Sequence, residues 1–406
     1  MTNLRGQVAR FVKPAVCALL VAGVAACGSQ RPATRSTVGA GGGTGPAASA
    51  GAAAIPMSGP VTVALMVPTG SSDAERNAIG EGLVNAAQMA KADLSGTPID
   101  LRIYETGGDA ARARAAAERA VSEGAKIIVG PLFGASAQAV GPVAQRAGLK
   151  VLTFSTNPAA AGGNVFLLGQ TAETEADRML SYVSSTGRRT VSVFSPDTPT
   201  GQAAASAVRA AAGRHNLQLV QSSSYPRSFR GIQDQAQVFA NGVTAEALVL
   251  PDGGQGLASL AAFLAFYGVN PQETKFTGLG QWNSASTARE ASLKGGWFVA
   301  PDPDLFNTFA TRYQSLYGAP PSPVTSLAYD GIAAVGALIR DARAAQDPDA
   351  FSAERITDPN GFIGVTGVFR LRSDGMIDRA LAVMEVDDNG FRVIDPAPRG
   401  FGAYGS

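Results

Sequence analysis

Histidine occurs once and cysteine twice in 406 residues, and neither sign of charge prevails, since 33 Lys and Arg stand against 32 Asp and Glu. Each shortage closes a route. A Ser/His/Asp triad would have to draw its base from His215, in the helix-to-strand connector Gly213-Arg-His-Asn216. The stretch Gly134-Ala-Ser-Ala-Gln138 lacks the G-x-S-x-G pattern of an exposed nucleophile. Zinc finds no cluster of His or Cys. Balanced charge builds no strong field toward nucleic acid or an acidic membrane surface. Asp387 and Asp388 stand just before Asn389-Gly390 and read as a solvated turn rather than a catalytic pair. The expectation is a protein that is not an enzyme, holds no metal or cofactor and binds no nucleic acid.

Long hydrophobic runs are also scarce. The apolar stretch Ala15–Ala26 is too short to span a bilayer comfortably and follows Arg5, Arg10 and Lys13, which is the build of an export signal over 1–26. Cys17 leaves with that segment. Val24-Ala-Ala-Cys27 resembles a lipobox, in which the cysteine is acylated and becomes the new N-terminus; the alternative is an ordinary A-x-A cleavage that leaves a free thiol. With Cys27 acylated, no cysteine remains for disulfides, metals or thiol catalysis. Gly28 follows, and the sorting rule of such lipoproteins then implies the periplasmic face of the outer membrane. Residues 28–58 contain no acid and almost no large apolar side chain, so they cannot offset their ordering entropy. They read as a flexible tether, 27–58, with a root-mean-square span of roughly 30 Å. The glycines of Gly39–Pro46 do not make a phosphate loop, because no strand precedes them and no Gly-Lys-Ser/Thr closes them.

What the chain does have, from Val61 onward, is alternation. β-Branched or apolar runs at Val61–Val67, Ile99–Tyr104, Ile127–Val129, Val151–Phe154, Thr190–Phe194, Leu217–Val220, Ala247–Leu250, Lys275–Gly278 and Gly296–Val299 are separated by helical patterns. Strands alternating with helices predict parallel βαβ units. Two helices follow, at 304–317 and 326–345, and then antiparallel strands around Ser373-Asp-Gly375. The expectation is two doubly wound sheets. Ligands of such folds sit beyond the carboxyl ends of strands, here the loops after Val67, Val129, Phe154, Phe194, Leu250 and Gly278.

This order resembles the type I periplasmic binding proteins of the leucine-binding group. The resemblance rests on Pro68-Thr-Gly70, Gly80-x-Gly82, Ile127-Ile-Val-Gly-Pro131, Gly148-Leu-Lys-Val151 and Ala328-Tyr-Asp-Gly331, and covers about residues 60–395. It implies an α/β, two-lobed fold with a mainly parallel doubly wound sheet in each lobe. The lobes are expected at 59–170 with 300–350, and at 171–299 with 351–396. A narrower resemblance is to lipoproteins that activate penicillin-binding proteins, through Ala64–Pro68, Tyr104–Gly108, Gly130-Pro-Leu132, Phe166–Ala176, Gly364–Leu371 and Asp374–Arg379. That likeness implies a lipid-anchored regulator of peptidoglycan synthesis with a penicillin-binding protein as partner. The separate amino-terminal helical-repeat domain of the best-known activators is lacking. The alternative is the solute-binding component of an ABC importer for amino acids or other small molecules, with a permease as partner.

The resemblance places the cleft candidates at Thr69, Gly134, Ala135, Ser136, Ser155, Thr156, Asn157, Thr200, Trp282 and Asp330. Backbone N–H groups at Gly134–Ser136 open a helix and suit an anion; Ser155, Thr156 and Asn157 add donors. Ser136, Ser155 and Thr156 equally suit helix capping and turn formation. Trp282 either stacks on a ligand or fills the hinge. Transport members often carry a tyrosine in the loop matching Asp197–Gly201, where this chain has Thr200. No acid is evident in Leu279-Gly-Gln-Trp282, where a ligand amine would need one. Cys27→Ser is expected to abolish incorporation of radioactive fatty acid into the protein in cells. Equal labelling of parent and variant would exclude the lipoprotein reading.

Overall fold

The computed structural model describes residues 53–242 and 245–401. The export segment, Cys27 and most of the expected tether lie outside the described residues. Among the described residues no helix is long and apolar enough to cross a membrane.

The first half reads β1 Val61–Val67, α1 Ala74–Asp93, β2 Ile99–Glu105, α2 Ala110–Ser122, β3 Ile127–Val129, α3 Gly134–Arg146, β4 Val151–Thr153 and β5 Val165–Leu167. These strands form one parallel sheet in the order β2-β1-β3-β4-β5. β1 shows why the sheet must be covered twice. Val61, Val63, Leu65 and Val67 face one apolar core with Leu83 and Ala86 of α1. Ala64 and Met66 face the other, with Ala113 and Ala117 of α2 and Val140 of α3. Side chains alternate along a strand, so a run apolar at every position needs helices on both faces.

The second half continues with α4 Ala172–Ser185, β6 Thr190–Pro196, α5 Pro199–Arg214, β7 Gln218–Tyr225, α6 Phe229–Ala240, β8 Ala247–Val249, α7 Gly254–Phe266, β9 Lys275–Gly278, the short α8 Ala285–Arg289 and β10 Trp297–Ala300. Then come α9 Pro303–Tyr317, α10 Ser326–Ala344, α11 Ala353–Ile356, β11 Phe362–Gly364, β12 Gly367–Leu371, β13 Ile377–Arg379, β14 Ala382–Asp387 and β15 Gly390–Asp395. The second sheet has the order β15-β14-β10-β9-β8-β6-β7. It is parallel from β7 to β10, and β14 and β15 are antiparallel. Ala247 and Val249 of β8 pack on the α4–α5 side, and Leu248 on the α6–α7 side. The two-lobed α/β fold and the mainly parallel sheets are as expected.

Helices α9 and α10 pack on the first sheet, through Phe309, Tyr313, Ile332, Val335 and Ile339. The segment expected whole in the second lobe, 351–396, divides instead. Ile356, Phe369, Leu371 and Ile377 join the first core, where β11, β12 and β13 form a small antiparallel sheet. Only β14 and β15 extend the second sheet. The chain therefore crosses between lobes three times: after β5, after β10 and after β13.

Core packing also includes residues ahead of the expected start at Val61. Ile55 is only 4% exposed and packs in the first core. Its N–H donates to Pro348 O at 2.9 Å, and the Arg343 guanidinium donates to Pro56 O and Gly59 O at 3.0 and 2.6 Å. Those main-chain bonds hold a stretch whose composition alone argued for a free tether. Ile55→Ala is expected to lower the unfolding free energy by about 2 kcal/mol, the low end for a buried isoleucine. Equilibrium denaturation of the two proteins checks this, and an unchanged midpoint would return Ile55 to the tether.

Candidate functional site

A cleft of about 1480 Å³ opens between the two sheets. One wall carries Thr156 and Pro158 from the loop after β4, with Phe306, Asn307 and Leu327 from α9 and α10. The other carries Thr200, Ala203 and Ala207 from α5, Gln281 and Asn283 from the loop after β9, and Met384, Phe391 and Val393 from β14 and β15. Gln170, Pro301 and Arg379, where the chain crosses between lobes, also line it. Apolar surface with a few fixed polar groups is the usual build of a small-molecule site.

Local sequence sets these positions. Thr171 caps α4, its Oγ1 accepting from Thr174 N at 3.4 Å, so the helix starts at once and turns Glu175 inward. Thr198 caps α5 in the same way, with Pro199 at the first helical position. A Cβ on Gly201 would lie 2.1 Å from Pro196 O, so only glycine permits the tight entry that puts Thr200 on the cleft.

The charged groups of the cleft differ in one respect. Arg214 is paired with Asp177 at 2.8 Å, and Glu173 with Arg372 at 3.5 Å. Arg379 is paired with Asp330 at 2.9 Å, both side chains being almost fully buried. Glu175 has no cation against it among the described residues. The residue is 9% exposed, and its carboxylate accepts from Gly280 N at 3.1 Å and from Gln170 Nε2 at 2.5 Å. Burial pushes its pKa up to about 7, against the pull of those two hydrogen bonds. The loop Leu279–Trp282 was expected to meet no acid. It contains none, but α4 delivers one to it, because tertiary packing places Glu175 against Gly280. Asp252, in the loop after β8, is also buried, but Tyr225 Oη donates to it at 2.7 Å and Arg227 pairs with it at 2.9 Å.

Of the residues singled out from sequence, Thr156 and Thr200 line the cleft. Gly134, Ser155 and Asn157 come together beside it. A Cβ on Gly134 would lie 2.9 Å from Asn157 Nδ2 and 3.3 Å from Ser155 Oγ. Ser155 Oγ accepts from Asn157 N at 3.0 Å, and Asn157 Oδ1 from Ala159 N at 3.0 Å, so both make the turn that their residue types allow. Helix α3 has no side-chain cap at its start; Ala135 there is exposed, and Ser136 is buried with its Oγ unpartnered. Thr69 stands apart, near Gly80, its Oγ1 also unpartnered. Two candidates are internal. Trp282 is fully buried, its Nε1 donates to Leu250 O at 2.9 Å, and its ring lies against Gly278 and Gly296. It fills the second core and is not free to stack on a ligand. Asp330 is fully buried and accepts from Val365 N at 2.7 Å, Thr366 Oγ1 at 3.0 Å and Arg379. Those contacts occupy it within the fold.

Residues 60–391 match the family described as periplasmic binding protein. None of the curated proteins compared matches the chain. Among solved structures, a putative branched-chain amino acid ABC transporter protein from Rhodospirillum rubrum superposes with a TM-score of 0.72 at 19% identity, covering 82% of this chain and 100% of that one. A solute binding protein of an ABC transporter from Rhodopseudomonas palustris, in complex with 3,4-dihydroxybenzoic acid, gives 0.58 at 15% identity, with 83% and 96% covered. A branched-chain amino acid transporter substrate binding protein from Streptococcus pneumoniae, in complex with isoleucine, gives 0.57 at 16%, with 83% and 100% covered.

Glu175 has a consequence for stability. Its folded pKa of about 7 lies above the ordinary 4.5, so the folded state holds the proton more tightly than the unfolded chain does. The stability this provides is fully present below about pH 4.5 and lost as pH rises through about 7. The loss amounts to roughly 3 kcal/mol. Glu175→Gln is expected to remove that slope, so the difference between parent and variant should change between pH 5 and pH 8 in denaturant titrations. A constant difference would show that the carboxylate is not desolvated.

Proposed function

Because the chain belongs to the periplasmic binding protein family, we propose that it captures a small solute in the interlobe cleft and presents it to a membrane permease of an ABC importer. The observation that carries this reading is the cleft itself, set between two parallel sheets near strand carboxyl ends and lined by apolar surface with isolated polar groups. Three crossings join the lobes, and two bodies joined by a few segments can close on a ligand by a hinge. The solved structures it superposes on include complexes with isoleucine and with an aromatic acid, so the solute class is a small organic molecule, amino acids included. In this reading the protein is a binder and not an enzyme, works in the periplasm, and is held at the membrane by a lipid on Cys27.

The activator reading draws less support. The phrases that pointed to it most, Gly364–Leu371 and Asp374–Arg379, form the end of β11, β12, β13 and the turns between them. Arg379 is buried against Asp330 and Phe369, so this block is explained by packing. A thermal-shift screen of amino acids, aromatic acids and peptidoglycan fragments tests both readings. Solute in hundredfold excess over its dissociation constant is expected to add about 2.7 kcal/mol, a rise of several degrees. Stabilisation by peptidoglycan fragments alone would favour the activator, and no stabilisation by any solute would count against capture.

A further inference from the structure

We propose that segment 396–401, after β15, is a strap that holds the interlobe cleft open, and that the lobes close only as Phe401 leaves its seat on Arg370. This needs a cleft that closes, but not a known solute. The two ends of the segment belong to different lobes. Asp395, the last residue of β15, pairs with Arg178 of α4 at 2.7 Å, and Ala397 packs against the second core. Phe401 instead meets the first lobe, where the Arg370 guanidinium lies over its ring at 4.7 Å. Arg370 is on β12, whose Phe369 and Leu371 sit in the first core, and Asp378 of β13 holds it at 2.8 Å. Beside the three covalent crossings there is therefore a fourth link between the lobes, and this one is reversible.

Strand register fixes the side on which the strap runs. Across β12 and β13, Phe369 stands opposite Arg379, and Arg370 opposite Asp378. Adjacent residues of a strand point to opposite faces. Arg379 turns toward Asp330 and lines the cleft, so Arg370 and Asp378 turn away from it. Phe401 thus grips the small sheet on the face away from the cleft. When two lobes close by a hinge, the surfaces on the cleft side approach and those behind the hinge separate. The strap lies where they separate, and it has little length to give. Ala397 and Phe401 are four residue steps apart, a reach of about 14 Å at full extension. Pro396 and Pro398 fix their own φ and restrict the residues before them, which stiffens the segment further. The second-lobe end is the firmer anchor, because Arg178 is only 12% exposed and also donates to Leu381 O at 2.8 Å. The end that yields is Phe401, held by a single cation–π contact.

Single-molecule fluorescence of the full chain reads the balance of open and closed forms with no solute present. Dyes are carried on azide side chains installed at Ser206 and Asn307, exposed positions on opposite walls of the cleft. In Phe401→Ala the ratio of closed to open form is expected to rise about two- to fivefold, the worth of an exposed cation–π contact. Two glycines inserted between Ala397 and Pro398 slacken the strap with Phe401 in place and should raise the ratio in the same direction. Phe401→Trp, whose ring holds a cation better, should keep the ratio at or below that of the parent. Any solute found in the thermal-shift screen should bind Phe401→Ala more tightly by the same factor, since the closed form is more populated. An unchanged ratio in Phe401→Ala or in the lengthened chain, or a shift toward the open form, would overturn the proposal. So would a parent fixed at one interlobe distance, because there would be no closure to restrain. A screen that finds no solute counts against capture and leaves the fluorescence comparison to judge the strap.

Discussion

Asp330 and Arg379 are removed from water together, and much of the join between the lobes follows from that. Neither charge survives burial alone, so α10, which carries Asp330, and β13, which carries Arg379, must meet. The pair recruits its surroundings. Thr366 Oγ1 and Val365 N donate to Asp330, fastening the turn between β11 and β12. Arg379 reaches Leu168 O at 3.4 Å, just where the chain leaves the first sheet, and lies over the Phe369 ring at 4.9 Å. The small antiparallel sheet is thus fixed to the first lobe, and the last crossing can start only from Arg379. Removing one partner would strand the other in the interior, at a cost of about 3–5 kcal/mol.

The same physics gives Glu175 its interest. Two carboxylates are buried: Asp330 inside the fold with a guanidinium against it, and Glu175 on the cleft with only amide donors. The first is a fastening. The second is an incomplete arrangement by the standards of the first, and it faces a cavity large enough for a small organic molecule.

Legibility in the sequence varied with the range of the interaction. β1 and β3 were readable as short, mainly apolar runs between turn residues, and β2 by the alternation of Ile99, Leu101 and Ile103 with Asp100 and Arg102; local pattern suffices for both. β7 was read short, since Gln221 and Ser222–Ser224 look like a loop; as an edge strand it is free to show polar side chains to water. β5, only Val165–Leu167, is too brief to stand out. Trp282 looked like a ligand platform because a tryptophan after a strand in a Gly-rich loop is available for stacking. Two glycines, Gly278 four residues before it and Gly296 fourteen after it, instead make the slot that buries it. Glu175 could have been suspected from one local sign, an acid in the inward-facing first turn of a capped helix, but nothing nearby in sequence announces Gly280.

The sequence by itself determined the class of the fold, because strand and helix periods and turn residues are local properties that each segment carries within it. Tertiary structure alone decided which segment belongs to which lobe, what Ile55 packs against, and which charges are answered. Those are pairings between residues tens to hundreds of positions apart, such as Ile55 with Pro348, Asp330 with Arg379 and Glu175 with Gly280. Burial and charge compensation depend on what lies across a gap in space, and no period in the chain encodes that.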